Sequence, residues 1–237
     1  MERLHFESID STNNYIKRNY ESLNHLSWVT SEVQTNGKGR SSKSWYGDED
    51  SLLCSILIKE QLPVEKNQMI PLLAAKSLHH VLSKYHQSIE IKWPNDLLIH
   101  SKKVAGILVE SVVIENEFKA VIIGFGVNVN QLDFPDSIKD IATSLSIDDI
   151  YALDINQILT ELNKRFIKDY EIFKKNHIEV IHYCNDYLAY KNKTISYVEE
   201  NKTLQGNIEY INNNGHLVVS RNKEFIPLIS GEIALLK

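Results

Sequence analysis

Cysteine is scarce in this sequence, which contains only Cys54 and Cys184 among 237 residues. The two lie far apart, so their spacing matches neither a zinc site nor a disulfide framework. We expect each thiol to be a small buried hydrophobic group in a reducing compartment. Long apolar runs are absent as well, and without ~18 consecutive apolar residues a membrane-spanning helix is excluded.

An excess of positive charge is also missing. The formal net charge is −5, which gives no general attraction to DNA or RNA, because nucleic-acid-binding surfaces are strongly basic. The first ten residues, MERLHFESID, lack the apolar segment of a secretory signal. These absences predict a cytoplasmic protein with no membrane and no nucleic-acid partner. With 43% hydrophobic residues, the chain is long enough for one good core and a smaller appended module.

The most informative segment is residues 91–110, IKWPNDLLIHSKKVAGILVE. Its Lys-Trp-Pro-Asn-Asp loop lies between two apolar strands, and Pro94 fixes its own φ and keeps Trp93 extended. Asn95 and Asp96 then offer oxygen ligands suited to hydrated magnesium or to a phosphate-bearing substrate. The segment therefore predicts a rigid loop with preset polar side chains.

Lys103 follows Asp96 by seven residues, and Gly106 comes shortly afterwards. A lysine supplies a point positive charge, and a glycine in a strand lets a ligand approach the backbone closely. The alternative interpretation of this segment is a hairpin with a polar turn, since short motifs also occur by chance.

Three further segments carry polar or glycine-rich patterns. Residues 10–13, Asp-Ser-Thr-Asn, precede a periodic stretch and are typical of a helix N-cap. Residues 34–45, QTNGKGRSSKSW, form a loop rich in glycine and basic residues. Residues 121–130, VIIGFGVNVN, place two glycines and an asparagine at the end of an apolar strand.

In this order and spacing, the four segments resemble those of the biotin protein ligases, and the resemblance covers essentially the whole chain. It implies an α+β fold: a mixed-sheet catalytic domain of the class II synthetase-like biotin/lipoate ligase type over residues 1–189. A small SH3-like β-barrel is then expected over residues 190–237.

The residue pattern agrees with that layout. Residues 51–58 and 119–127 are nearly continuous apolar runs, which predict buried strands. Helical periodicity marks residues 69–85, with Pro71 in the first turn, and it marks residues 155–173. Beyond residue 190, short strands alternate with turn signals, and an Asn-Gly pair predicts a hairpin.

The resemblance implies a two-step reaction. The carboxylate of biotin first attacks the α-phosphate of ATP to give biotinyl-5′-AMP, and a lysine of a biotin carboxyl carrier protein then attacks the mixed anhydride. Because two anionic groups meet in the first step, the site must supply positive charge where negative charge develops. Magnesium would help to neutralise the phosphates. No covalent enzyme intermediate is required.

The site residues follow from the matching positions. The implied catalytic residues are Lys103 and Arg40. The implied biotin-binding residues are Ser11, Thr12, Asn13, Gln34, Gly37, Lys38, Gly39, Arg40, Trp45, Lys103 and Gly106. The implied nucleotide-binding residues are Arg40, Asn95, Lys103 and Asn128, with Gly124 and Gly126 opening space beside Asn128. Asn95 and Asp96 are the residues expected to orient Mg²⁺.

Structural roles compete with several of these assignments. Asp96 could cap a turn, and Ser11 could serve only as a helix cap. Trp45 is either ordinary core or a wall against the aliphatic tail of biotin. The adjacent residues His79 and His80 do not share a helix face, so we interpret them as structural.

The chain departs from the family pattern at a few positions. Lys38 replaces a usual arginine, and Ser41 and Ser42 stand where arginine and glycine are common. Leu236 occupies the place of an arginine found in some members, and Lys237 is a weak substitute. The first motif arrives at residue 11, which leaves no room for the DNA-binding domain of longer members and makes operator binding unexpected.

Two other functions stay open at this point. A lipoate-type ligase shares the related fold and the adenylate chemistry, and a non-catalytic biotin-sensing protein would share the pocket. The phosphate-facing charges of Arg40 and Lys103 favour a ligase over a sensor. The sequence does not decide between a monomer and a homodimer, nor does it name the carrier.

Overall fold

A computed structural model describes residues 2–41, 43–115, 117–147, 151–199 and 202–236. Ser42 and Lys237, two of the positions at which the chain departs from the family pattern, lie outside the described residues. The first part of the chain forms β1 Arg3–Ile9, α1 Thr12–Asn19, β2 Trp28–Gln34, β3 Ser51–Ile58, α2 Val64–Leu82, β4 Ile89–Lys92, β5 Asp96–Ile99, β6 Lys102–Ile114 and β7 Glu117–Asn128. The second part forms α3 Ile155–Lys175, α4 Ile178–Asp186, β8 Thr194–Glu199, β9 Lys202–Ile211, β10 Leu217–Arg221, β11 Glu224–Leu228 and β12 Ile233–Leu235.

The seven strands β1–β7 form one mixed sheet in the order β1-β2-β3-β7-β6-β5-β4. β1 and β2 run parallel, and the other neighbours run antiparallel. The apolar run at residues 51–58 is β3, and all eight of its residues are buried. A strand is apolar throughout when both faces of its sheet are covered, so the predicted buried strand is confirmed and is nearly central.

The two faces of this sheet carry different layers. α2 and α3 cover one face and bury the large core that includes Trp28, Phe125 and Phe166. α1 covers part of the other face through a smaller cluster around Ile16 and Leu57. The rest of that second face is left for the loops, and it carries the candidate site.

Helix α2 begins earlier than its apolar periodicity predicts. It starts at Val64, directly after Pro63, so Pro71 lies inside the helix and the predicted first-turn position is wrong. Apolar periodicity marks only the part of a helix that packs on a core, and residues 64–68 are exposed or half-buried. Helix α3, by contrast, begins at Ile155 as predicted, after an Asp154 cap.

A buried ionic cluster joins the helices on the core face. The Nζ of Lys76, whose side chain is 1% exposed, lies 3.2 Å from an Asp169 carboxylate oxygen. Ser77 and Arg165 donate hydrogen bonds to the other oxygen of Asp169.

His79 is also buried among these helices, and burial lowers its pKa to about 4. It bridges the Tyr183 hydroxyl and the Ile89 carbonyl, and it therefore has the predicted structural role.

The strands β8–β12 form a second, antiparallel sheet in the order β11-β10-β9-β8-β12. β11 and β12 are its edges, so the strand pairing does not close the predicted SH3-like barrel. The predicted Asn-Gly hairpin is confirmed between β9 and β10, where Gly215 has φ +81°. The carbonyl of Gly215 accepts a hydrogen bond from the indole of Trp93, which ties this sheet to the β4–β5 loop.

The proposed domain boundary at residues 189 and 190 falls between α4 and β8. Among the residues that the structure describes, none of the helices combines the length and the apolar character needed to cross a membrane.

Candidate active site

The candidate site lies on the sheet face opposite α2 and α3. Side chains alternate along a strand, and the pairing of β3, β7 and β6 brings alternate residues into rows on this face. The row members are Ser55, Gly124 and Leu108, and beside them Leu53, Gly126 and Gly106. The two rows form a floor with little side-chain bulk at its centre.

Trp45 lies against the glycines of this floor. A Cβ atom at Gly126 would fall 2.4 Å from the indole Cε2, and one at Gly106 would fall 2.8 Å from Cζ3. The Lys103 ammonium is 5.5 Å from the ring centroid of Trp45, within the range of a cation–π contact. The half-buried indole therefore offers an apolar surface beside a cation, which suits the predicted wall against an aliphatic chain.

Lys103 is held at the start of β6 by its backbone and its charge. Its N–H donates to the carbonyl of Ile141, and its own carbonyl accepts from the N–H of Thr143. Its Nζ lies 2.6 Å from an Asp96 carboxylate oxygen, and its side chain is 36% exposed. An ammonium in this position has one internal anionic partner and a face open to a second anion.

Lys92 is paired with Asp96 across β4 and β5 and therefore lies on the same sheet face. Burial lowers the pKa of Lys92, and Asp96 opposes that shift. Lys92 is the first residue of the Lys-Trp-Pro-Asn-Asp loop, but it was not among the predicted site residues.

Arg40 reaches from the loop to the β4–β5 turn. Its guanidinium donates to the side-chain oxygen of Asn95 at 2.8 Å and to the Gly231 carbonyl at 3.4 Å. Asn95 is 8% exposed, and its amide nitrogen donates to the carbonyl of Ile107. Asn95 thus fixes the guanidinium against the sheet.

The predicted magnesium site at Asn95 and Asp96 does not fit this geometry. The oxygen of Asn95 accepts from Arg40, and the carboxylate of Asp96 faces the ammonium of Lys103. A magnesium ion at this place would have to share these oxygens with Arg40 and Lys103 or replace the two cations. Within the described ranges, no group of three or more His, Cys, Asp or Glu residues could hold a metal ion.

The assignment of Asn128 to adenine is not supported either. Asn128 is 4% exposed, and its amide nitrogen donates to the carbonyls of Lys103 and Thr143. Both of its donor hydrogens are therefore used inside the protein, whereas reading an adenine edge requires a free donor. Gly124 and Gly126 face Asn13 and Trp45 and do not open space beside Asn128. Asn128 holds the segment that positions Lys103.

The basic loop folds into a short hairpin. The Gly39 N–H donates to the Lys43 carbonyl at 2.7 Å, and the Trp45 N–H donates to the Gly37 carbonyl at 3.0 Å. Lys38 donates to the Asn14 side chain, and Lys43 donates to both carboxylate oxygens of Glu232. This hairpin lines a cavity of about 540 Å³ together with Leu108 and Glu110.

The N-terminus of α1 carries the predicted polar residues of the first motif. Ser11 is the N-cap, as predicted, and its side chain accepts from the Asn14 N–H. Thr12 is 3% exposed, and both its N–H and its hydroxyl lie within hydrogen-bonding distance of the Gln34 side-chain oxygen. Asn13 is buried against Gly124. A Cβ added at Gly124 would fall 2.4 Å from the side-chain oxygen of Asn13.

The structure therefore gathers the predicted site residues into two groups on one sheet face. Ser11, Thr12, Asn13 and Gln34 meet at α1, and Arg40, Trp45, Lys103 and Gly106 meet around the β4–β5 turn. Sequence reasoning missed Ser55 and Glu110, which bind the side chain of Asn13. The period-2 alternation of β3 and β6 is the signal that could have found them.

Comparisons with known proteins agree with this architecture. The model of the biotin/lipoate A/B protein ligase family matches residues 5–128, which is more than half of the chain. The bifunctional ligase/repressor BirA of Bacillus spizizenii is 40% identical over 150 residues, covering 60% of this chain and 46% of that protein. The biotin–[acetyl-CoA-carboxylase] ligase of Paracoccus denitrificans is 31% identical over 123 residues, covering 51% of each.

A solved structure shares the whole fold. The biotin protein ligase of Aquifex aeolicus, in complex with biotin and ATP, superposes with a TM-score of 0.87 at 24% identity and covers 100% of this chain and 99% of that one. In the curated relatives named above, the matched regions span only about half of the protein. On the family match, the chain belongs to the biotin/lipoate A/B protein ligase family.

Proposed function

We propose that the protein is a biotin protein ligase, which activates biotin with ATP and transfers it to a lysine of a biotin carboxyl carrier protein. The observation that carries the proposal is a group of cations at the β4–β5 turn, next to buried polar side chains at the start of α1. Arg40 binds Asn95 there, and Lys103 contacts both Asp96 and the Trp45 indole. Cations are needed where two anions react, and polar side chains are needed to bind a polar, uncharged ring. We assign the polar side chains at α1 to the ureido ring of biotin.

In the first step, an oxygen of the biotin carboxylate attacks the α-phosphorus of ATP. The bond between that phosphorus and the bridging oxygen breaks, and pyrophosphate leaves. Lys103 and Arg40 stabilise the negative charge that develops, and such electrostatic groups usually supply a large part of the rate enhancement. Asn95 holds the guanidinium, and Asn128 holds the backbone of Lys103, so both cations are positioned before the substrates arrive.

In the second step, the uncharged amine of a carrier lysine attacks the acyl carbon of biotinyl-5′-AMP. The bond from the acyl carbon to the phosphate oxygen breaks, AMP leaves, and the amine loses a proton. The described residues of the basic loop line the cavity, and closure of the loop would exclude water from the anhydride. Among curated relatives, the name of the Paracoccus denitrificans ligase specifies acetyl-CoA carboxylase, and a carrier domain of that type is the partner we propose.

The two cysteines support a cytoplasmic location. Both are free and buried, and burial raises the pKa of Cys184 to about 12. Buried thiols of this kind are inert and need no oxidising compartment.

The decisive experiment is transfer of the label. The protein is incubated with biotin, ATP, a magnesium salt and a carrier domain, and the carrier is then probed for biotin. We expect labelling that requires ATP, and a parallel arm with lipoate should give none. Labelling by lipoate alone would favour a lipoate-type ligase, and biotin binding without labelling would favour a sensor.

A further inference from the structure

Four polar side chains form a hydrogen-bond chain between β6 and the start of α1. Asn13 donates its amide nitrogen to the Glu110 carboxylate at 2.8 Å. The Ser55 hydroxyl lies 2.6 Å from the Asn13 side-chain oxygen and 2.6 Å from the Thr12 hydroxyl. Asn13, Ser55 and Thr12 are each at most 3% exposed, so bulk water does not compete for these bonds.

The donors and acceptors of this chain have a fixed direction. A carboxylate only accepts hydrogen bonds, so Glu110 forces the amide nitrogen of Asn13 towards itself and the amide oxygen towards Ser55. Ser55 has one proton and donates it to that oxygen. The Ser55 oxygen therefore accepts from the hydroxyl of Thr12.

The direction decides what Thr12 offers to a ligand. The Thr12 hydroxyl lies 2.6 Å from Ser55 and 3.2 Å from the Gln34 side-chain oxygen, and the shorter contact takes its single proton. Gln34 instead accepts from the Thr12 N–H at 2.7 Å. Thr12 is left with lone pairs alone, and Gln34 is left with its amide N–H groups.

A free acceptor beside free N–H donors complements a group that carries an N–H next to a C=O, such as a urea. We propose that Glu110 is a positioning residue for this recognition: through Asn13 and Ser55 it makes the Thr12 hydroxyl an acceptor. This inference rests on the proposed function, in which the ureido group of biotin is the ligand.

Two observations separate this role from an ordinary surface charge. The Lys17 ammonium lies 4.0 Å from the other oxygen of Glu110, and its side chain is 53% exposed, so that ion pair is weak. The Asn13 side chain also occupies space that only a glycine at position 124 leaves open, because a Cβ there would fall 2.4 Å from its oxygen. The strong, specific contact of Glu110 is the one with Asn13.

The first test compares two variants that both remove the Lys17–Glu110 pair. Glu110→Ala removes the anchor of the chain, and Lys17→Ala leaves it intact. We expect Glu110→Ala to raise the KM for biotin roughly tenfold, the effect of losing one hydrogen bond to a charged group. The KM for ATP and kcat should change less than about threefold, and Lys17→Ala should change none of the three.

The second test first places a second carboxylate in the hydrogen-bond chain and then exchanges the amide and the carboxylate between positions 13 and 110. Asn13→Asp places a carboxylate against Glu110 and should raise the KM for biotin about tenfold or more, since two like charges then meet in a buried site. Adding Glu110→Gln gives the new carboxylate an amide donor, and Ser55 can again donate to its other oxygen. The double variant should return the KM for biotin to within about threefold of the wild type.

The outcomes separate this inference from the proposed function. A wild-type protein that forms no biotinyl-AMP overturns both. An active wild type whose biotin KM is unmoved by Glu110→Ala overturns the inference alone, as does a fall in kcat and in both affinities together, which a structural role would give. If Asn13→Asp does not fold, the melting temperatures reveal it, and the comparison of Glu110→Ala with Lys17→Ala still decides.

Discussion

The two ends of the candidate site are built on opposite principles. The polar end, formed by Thr12, Asn13, Gln34 and Ser55, is mostly buried, uncharged and joined by hydrogen bonds within the protein. The cationic end, formed by Arg40, Lys43 and Lys103, is partly exposed and charged. The first is suited to recognising a shape and a pattern of donors, and the second is suited to stabilising charge.

The cations of the cationic end are bound to partners that a substrate could replace, which is not true of the polar end. Each of its cations has an internal partner that an anionic substrate could replace: Asn95 for Arg40, Asp96 for Lys103 and Glu232 for Lys43. The ammonium of Lys43 binds a carboxylate here, and a lysine binds a phosphate through the same kind of charge-assisted hydrogen bond. The comparison implies that affinity for biotin and stabilisation of the reaction can be changed separately.

The largest effect is expected at the cationic end. Lys103→Ala should slow formation of biotinyl-AMP by ~10²–10³, the usual result of removing one group that stabilises developing charge. Biotin should still bind, because the polar end is untouched. Single-turnover assays measure the rate and titration calorimetry the affinity. Lys102→Ala is the matched control, since the neighbouring ammonium points instead to the Lys139 carbonyl; near-normal turnover in Lys103→Ala would remove Lys103 from the chemistry.

The next effect belongs to the polar end. Thr12→Val keeps the shape of a buried side chain but removes its lone pairs, and it should raise the KM for biotin roughly tenfold. Its kcat at saturating biotin should stay near the wild-type value. Thr35→Val, at an exposed position one residue after Gln34, is the control. A loss of kcat at saturating biotin would mean that the two ends are not separable.

The contacts of the cationic end follow from the sequence more directly than those of the polar end. Lys103 and Asp96 belong to one short motif, and the antiparallel pairing of β5 and β6 brings them together over seven residues. The polar end combines α1, β2, β3 and β6. In the sequence, Ser55 is an ordinary serine in an apolar run and Glu110 is an ordinary glutamate after another. Their partners lie 42 and 97 residues away.

The wrong or unsupported predictions have the same origin. Asn128 is predicted to bind the nucleotide, but the segment around Thr143 folds back on it, and no periodic pattern marks that segment. Asn95 and Asp96 have the right atoms for magnesium, but Arg40 and Lys103 take those atoms. Which of several possible partners a polar group binds is decided by tertiary packing, whereas strands and helices follow from local periodicity.

Ionic strength should distinguish the two ends in the unmodified protein. Raising the salt concentration from about 0.1 M to 1 M shortens the Debye length from about 10 Å to 3 Å. The KM for ATP should rise several-fold, because the partly exposed cations are screened. The affinity for biotin should change less than the KM for ATP, because the ureido contacts at the polar end are neutral and buried. Equal salt dependence of both ligands would contradict the comparison.

The smallest effect is expected at Glu232. Lys43 and Glu232 are both more than half exposed, so their ion pair contributes little to stability. Glu232→Gln weakens that link between the loop and the second sheet, while Arg40 still bonds to the Gly231 carbonyl. Trypsin should then cut at Lys38, Arg40 and Lys43 faster than in the wild type when no ligand is present.

Ligand binding should cancel that difference. Biotin with a non-hydrolysable biotinyl-AMP analogue gives the loop cations an anionic partner, so the wild type and Glu232→Gln should become equally resistant to trypsin. Glu224→Gln, a change at an exposed position on β11 of the same sheet, should leave the apo cutting rate unchanged. If ligand protects neither protein, the loop does not close over the site. The loop cations would then act on the substrate without becoming ordered when it binds.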